Sequence, residues 1–221
     1  MQLNFDFMVE YLPWYVDAAK LTVKIAFWGI LFSLIVGIVC AVLQYYRVPV
    51  LHRIIAVYIE ISRNTPLLVQ LFFLYFGLPK IGILLSAEAC AIIGLAFLGG
   101  SYMSESIRSG LESIEKTQTE SAASLGMGEW LTMKEVIFPQ ALAVSVPGLC
   151  ANVIFLIKET SVVSGIALAD LMYVTKDLIG LYYETDEALL MLVIAYLIIL
   201  LPVSICAFFL ERRLRYARFG N

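Results

Sequence analysis

The chain has 221 residues, of which 61% are hydrophobic, with a mean hydropathy of +0.88 and a formal net charge of -3. These values exclude an ordinary soluble domain and fit an integral membrane protein with about five spans of ~20 residues each. The small charge excludes nucleic acid as a partner. Cys40, Cys90, Cys150 and Cys206 all sit in apolar runs without a Cys-x-x-Cys, which argues against a disulfide framework or a metal site.

The first residues, Met1 to Asp6, lack a basic segment, and the first long apolar run begins only near Leu21, so no cleaved signal peptide is expected. Trp14 and Tyr15 suit a membrane interface. A first span is predicted over residues 21–43, with Lys20 and Lys24 snorkelling away from it. Residues 47–53 form a basic loop, placed in the cytoplasm, and its lone His52 reads as solvated.

The second apolar run covers residues 54–77. Glu60 and Arg63 have the i, i+3 spacing of a pair. Pro66 removes a helical donor and biases Thr65 away from the α region, so a kink or break is expected there. The stretch Arg63-Asn64-Thr65-Pro66-Leu67-Leu68-Val69-Gln70 resembles the Arg-Gly-Thr-Pro-Leu-Leu-Val-Gln segment of polar amino-acid permeases. Asn64 replaces the usual Gly; Asn tolerates left-handed geometry better than most residues.

After an outer loop at 78–88, a third span is predicted over 89–107. Gly94, Gly99, Gly100 and Ser101 give it a small-residue face for close packing. Its inner end, residues 101–110, resembles the same permeases, and Glu105 and Arg108 read as a structural pair.

Residues 119–140 break the apolar pattern. Glu120 to Leu125 can form a short helix with Ala122, Ala123 and Leu125 on or near one face. Gly126 and Gly128 permit a positive-φ turn. A second short helix runs from Glu129 until Pro139 ends it, with Leu131, Val136 and Ile137 as its apolar side. Two short helices joined by a sharp turn suit docking into a partner's groove. The order Glu-x-Ala-Ala-x-Leu-Gly followed by Ile137 and Pro139 resembles the EAA loop of ABC importer permeases, with Ser121 where the first Ala usually stands. The resemblance implies that Glu120, Ala122, Ala123, Leu125, Gly126, Ile137 and Pro139 couple to a cytoplasmic ATPase, within a loop of about 113–140.

A fourth span is predicted over 141–157. A helix begun at Pro147 reaches Lys158 after about 11 residues, or ~16 Å, half of a ~30 Å hydrocarbon layer. Lys158, Glu159 and Asp170 therefore call for pairing or a polar cavity, since an ionisable group at mid-membrane costs about 2.5–3.5 kcal/mol. Residues 158–162 resemble the permeases' Lys-Asp-Thr-Ser-Leu element, with Glu159 and Val162 as departures. Substrate contacts are expected at Asn64, Thr65, Lys158, Glu159, Thr160, Ser161 and Asp170, the polar broken-helix region being about 158–170. Mutual neutralisation of Lys158 and Glu159 is the competing structural reading. Residues 172–187 are acidic on balance and are placed outside. A last span over 188–210 leads to the arginine-rich residues 211–218.

The expected fold is all-α, a single polytopic membrane domain over 1–221, with the N-terminus outside and the C-terminus in the cytoplasm. The resemblance implies a permease subunit of a polar amino-acid importer. It implies as partners a second permease subunit, an ABC ATPase and an external binding protein, all around a membrane-embedded chain. No Lys follows a Gly, so the chain carries no Walker A cradle and no nucleotide or other cofactor site of its own. A secondary transporter or channel is the competing class. An intramembrane enzyme is disfavoured by the absence of His-Glu-x-x-His and Gly-x-Ser-Gly.

Overall fold

The computed structural model describes residues 3–219, with side chains through Leu214. Among the described residues the secondary structure is helical, as expected for an all-α membrane protein. Four helical segments are long and apolar enough to cross a membrane: Phe5–Tyr45, Ala87–Glu112, Glu129–Ile166 and Thr185–Leu214. The second predicted span is a broken fifth unit, α2 (Leu51–Asn64) followed by α3 (Leu67–Phe72), a π-helical turn at Phe73–Gly77 and a 3₁₀ turn at Leu78–Ile81.

Helix α1 (Phe5–Tyr45) starts well upstream of the predicted span. Asn4 caps it, its side chain accepting from the Phe7 N–H at 3.1 Å. Asp6, Glu10 and Asp17 masked this half from hydropathy, yet they lie off the face formed by Phe7, Tyr11, Tyr15 and Ala18. That face packs on Leu171, Val174, Leu178, Ala188 and Met191. Tyr15 is therefore a core residue rather than an interfacial one, its hydroxyl donating to the Ala188 carbonyl at 2.8 Å. Lys20 and Lys24 pair with Asp17 and Glu88 rather than snorkelling free.

Helix α4 (Ala87–Glu112) is the central post, packed along α1 on one side and α7 (Phe138–Glu159) on another. Small residues set the closeness of these crossings. A Cβ on Gly99 would lie 2.6 Å from Leu156 and would also strike Ser33 Oγ; one on Gly37 would lie 2.5 Å from the Met103 side chain. The core around them holds Ile25, Leu71, Leu95, Met103 and Leu156, all nearly inaccessible.

Helix α5 (Lys116–Ser124) and α6 (Glu129–Thr132) make a hairpin. Pro139 does not end the second helix. A π-helical turn at Met133–Ile137 carries α6 straight into α7, and the Phe138 N–H reaches back to the Met133 carbonyl. Pro139 then falls in the first turn of α7, where a missing donor costs least. Pro147 does not start the helix either; it lies on an exposed face inside α7. The predicted outer loop at 172–187 contains α8 (Leu171–Tyr182), which precedes α9 (Thr185–Phe219).

The packing argument gives a direct expectation. Gly99→Ala should lower the thermal midpoint of the detergent-purified protein, with overpacking costing about 1–3 kcal/mol. Gly180→Ala, where an added Cβ meets nothing within 4 Å, should leave the midpoint unchanged or raise it slightly. Equal behaviour of the two variants would contradict the close α1–α4–α7 contact.

Candidate functional site

The first interruption lies at Thr65–Pro66. Pro66 has no N–H, so the Ser62 carbonyl loses its helical donor four residues on. Gln70 supplies the replacement, its Nε2 donating to the Ser62 and Thr65 carbonyls at 3.0 Å each. Ser62 Oγ in turn donates to the Phe97 carbonyl at 2.9 Å, tying the break to α4. Thr65 is extended, at φ -114° and ψ 127°. Asn64 does not use left-handed geometry; it is the last residue of α2, and its amide donates to the Glu60 carbonyl and carboxylate at 2.8 and 2.9 Å.

Glu60 is thus engaged locally, and the expected Glu60–Arg63 pair does not form. Arg63 reaches instead to Glu105 of α4 at 3.3 Å, its guanidinium lying 5.1 Å from the centre of the Tyr102 ring. The predicted Glu105–Arg108 pair is present at 2.9 Å and continues to Glu112 at 2.8 Å. These part-exposed pairs contribute at most about 1 kcal/mol each and mainly fix position.

The second interruption follows α7. Lys158 is exposed and Glu159 half-buried. Beyond them a 3₁₀ segment at Thr160–Ile166 leads to Ala167 in left-handed geometry, φ 57°. Two predicted contact residues have internal roles. Thr160 is fully buried and donates to the Ile157 carbonyl at 2.7 Å. Asp170 is fully buried and caps α8, accepting from the Tyr173 and Met172 N–H groups at 2.9 and 3.2 Å. Both residue types sit at broken helix ends, where capping competes with ligand binding as an explanation. Lys158 and Glu159 form no ion pair with each other. Among the described residues the side chains of Thr65, Lys158, Glu159 and Ser161 make no hydrogen bond or close ion pair, although the charges of Lys158 and Glu159 still act on each other.

The two interruptions pack together. Leu67 and Leu71 share a buried cluster with Val163 and Ile166. Leu68 lies 2.5 Å from where a Cβ on Gly165 would sit. The result is a pair of half-helices meeting beside an unpaired cation and an unpaired carboxylate. Such groups can receive a polar, charged solute.

The hairpin is a separate surface. α5 ends in a Schellman motif: the Gly126 N–H bonds the Ala123 carbonyl at 2.9 Å and the Met127 N–H bonds the Ala122 carbonyl at 3.1 Å. Gly126 has φ 77°, whereas Gly128 has φ -71° and needs no special freedom. The single apolar face expected for Ala122, Ala123 and Leu125 is split. Ala122 is buried, while Ala123 and Leu125 point outward, with Leu125 81% exposed. Ile137 is likewise buried, against Leu111 and Ala141, so it anchors the hairpin rather than presenting it. Glu120, Gly126 and Pro139 remain exposed. Trp130, 78% exposed, is a surface residue that the motif did not pick out. Its signal was available: a lone Trp after the turn of a surface hairpin.

The model of the family described as "Binding-protein-dependent transport system inner membrane component" matches residues 33–216. A Vibrio harveyi protein named "Probable amino-acid ABC transporter permease protein PatM" is 39% identical over 175 residues, 78% of each chain. The Bacillus subtilis (strain 168) arginine transport system permease protein ArtQ is 30% identical over 216 residues, covering 97% of this chain and 99% of its own. A solved structure, "Crystal structure of an amino acid ABC transporter with histidines", superposes with a TM-score of 0.88 at 31% identity, covering 96% of this chain and 100% of that one.

Gln70 offers the sharpest test of the first interruption. Gln70→Leu should destabilise the protein by about 1–3 kcal/mol, because two carbonyls lose their donor. Gln70→Glu should be worse, since a carboxylate faces those carbonyls. Thermal midpoints equal to wild type would show that the break holds without this bridge.

Proposed function

The chain belongs to the family of binding-protein-dependent transport system inner membrane components, and from that premise we propose that it is the membrane-embedded permease subunit of an ATP-driven importer for a polar L-amino acid. Supporting the solute class are relatives named as amino-acid and arginine permeases and the solved neighbour described as an amino acid ABC transporter. None of these relatives supports the competing class of ATP-independent carriers. ATP is hydrolysed by a separate cytoplasmic subunit, an external binding protein delivers the solute, and a second permease subunit completes the pathway. The whole chain, 1–221, acts as one transmembrane unit in lipid, with its N-terminus outside and its arginine-rich end inside.

The observation that carries this reading is the continuity of the helical segment Glu129–Ile166. At one end is the hairpin, with Leu125, Trp130 and the Gly126 turn available to a partner's groove. At the other are Lys158 and Glu159. At 1.5 Å per residue the two ends stand about 45 Å apart on one rod. When the ATPase pair closes and draws the hairpins inward, the rod tilts and the unpaired charges change their surroundings. Glu159 receives the solute's ammonium or cationic group, and Lys158 its carboxylate, with Thr65 and Ser161 as further polar contacts.

Two variants separate the ends of the rod. Gly126→Val strains the turn by about 1–2 kcal/mol and alters its shape. It should insert normally yet lose co-purifying ATPase, hydrolysis and uptake together. Glu159→Gln should keep the complex and its basal hydrolysis but lose most uptake. Near wild-type uptake with Gly126→Val would remove the hairpin from the coupling role.

Orientation has its own test. Single cysteines introduced by Gln118→Cys and Gly180→Cys in a cysteine-free background should react oppositely with an impermeant maleimide. Reaction at 118 from outside would reverse the topology.

A further inference from the structure

A cavity of about 680 Å³ lies beside the start of the coupling hairpin, between the end of α1, the turn at 46–50, the polar face of α2 and the end of α4. Its lining carries three cations, Arg47, Arg108 and Lys116, and three carboxylates, Glu60, Glu105 and Glu112, together with His52. Much of this charge is already engaged: Arg108 is held by Glu105 and Glu112, and Glu60 by Asn64. The side chains of Arg47 and Lys116 have no ion-pair or hydrogen-bond partner among the described residues. Nor does the side-chain oxygen of Gln44, although Gln44 is only 8% exposed and lines the same cavity. A buried amide oxygen without a donor is unfavourable, so a ligand carrying an N–H group would relieve it.

The lining is net neutral but separated into unpaired cations and an unpaired acceptor. That arrangement fits a net-neutral dipolar solute better than a polyanion, whose second charge would meet three carboxylates. The volume lies in the range of small-molecule sites, ~300–1,000 Å³. The amphipathic α2 turns its exposed apolar residues Ile54, Val57 and Ile61 away from the cavity. We propose that this cavity is a regulatory site for a free α-amino acid, its carboxylate held by Arg47 and Lys116 and its ammonium by the Gln44 side-chain oxygen. The proposal rests on the amino-acid importer reading above. Lys116 is the first residue of α5, so an occupant ties the hairpin to Arg47 in the turn before α2 and restrains its movement. Product accumulating inside thereby slows the transporter without reaching the Lys158–Glu159 site.

The test uses the complete transporter, permease with its ATPase, purified in detergent without the external binding protein. Basal ATP hydrolysis is followed against the encoded L-amino acids, one at a time, and against sulfate as an anion probe. At least one amino acid should lower hydrolysis about tenfold, a coupling of ordinary size. Arg47→Gln and the near-isosteric Gln44→Met should each lose this inhibition while keeping the uninhibited rate, and Glu159→Gln should retain it. The proposal is overturned if no amino acid inhibits, if inhibition survives in both cavity variants, or if sulfate inhibits equally. Uptake by the same complex in proteoliposomes with the binding protein tests the importer reading separately. Uptake without inhibition rejects the regulatory site alone, whereas inhibition without uptake of any amino acid rejects the importer reading.

Discussion

The structure depends on one constraint: in apolar surroundings every backbone N–H and C=O needs a partner inside the protein. A straight helix meets this without help. This chain interrupts its helices repeatedly, and each interruption comes with a local remedy. Gln70 covers the carbonyls freed by Pro66. Asp170 takes two N–H groups at the start of α8. The Gly126 turn closes the last carbonyls of α5, and a π-helical turn receives Pro139. The polar residues scattered through an apolar sequence are largely these remedies. Only a minority stay free for a solute.

That distinction sets what could be read from the sequence. The break at Pro66 was legible because a missing donor is a local property. So was the Gly126 turn. Thr160 and Asp170 looked like ligand residues because buried polarity signals a need for a partner without saying which. In both cases the partner is the chain's own backbone. Glu60 and Arg63 had the right spacing, but spacing is silent about Asn64 and Glu105, which compete for them. The early half of α1 was missed for a related reason. Its acidic residues lower the hydropathy of a helix whose opposite face is aromatic and buried.

Close approach is the other organising element. Gly37 and Gly99 let α1, α4 and α7 meet nearly backbone to backbone, with Ser33 Oγ donating to the Leu95 carbonyl across the contact at 3.1 Å. Such a core resists internal rearrangement. Packing is thinner at the hairpin, where Leu125 and Trp130 are exposed, and that is where the fold leaves most room for movement.

The unbroken passage from α6 through the π-helical turn into α7 adds a rotational consequence. Each residue of an α-helix advances the side-chain direction by about 100°. The direction in which Lys158 and Glu159 point is therefore keyed to that of Trp130 by the residue count between them. The π-helical turn widens the ring at Met133–Ile137 by one residue and resets that angle once. The hairpin and the paired half-helices behave as two keys cut on one shaft, with their relative phase fixed by covalent length rather than by any contact between them.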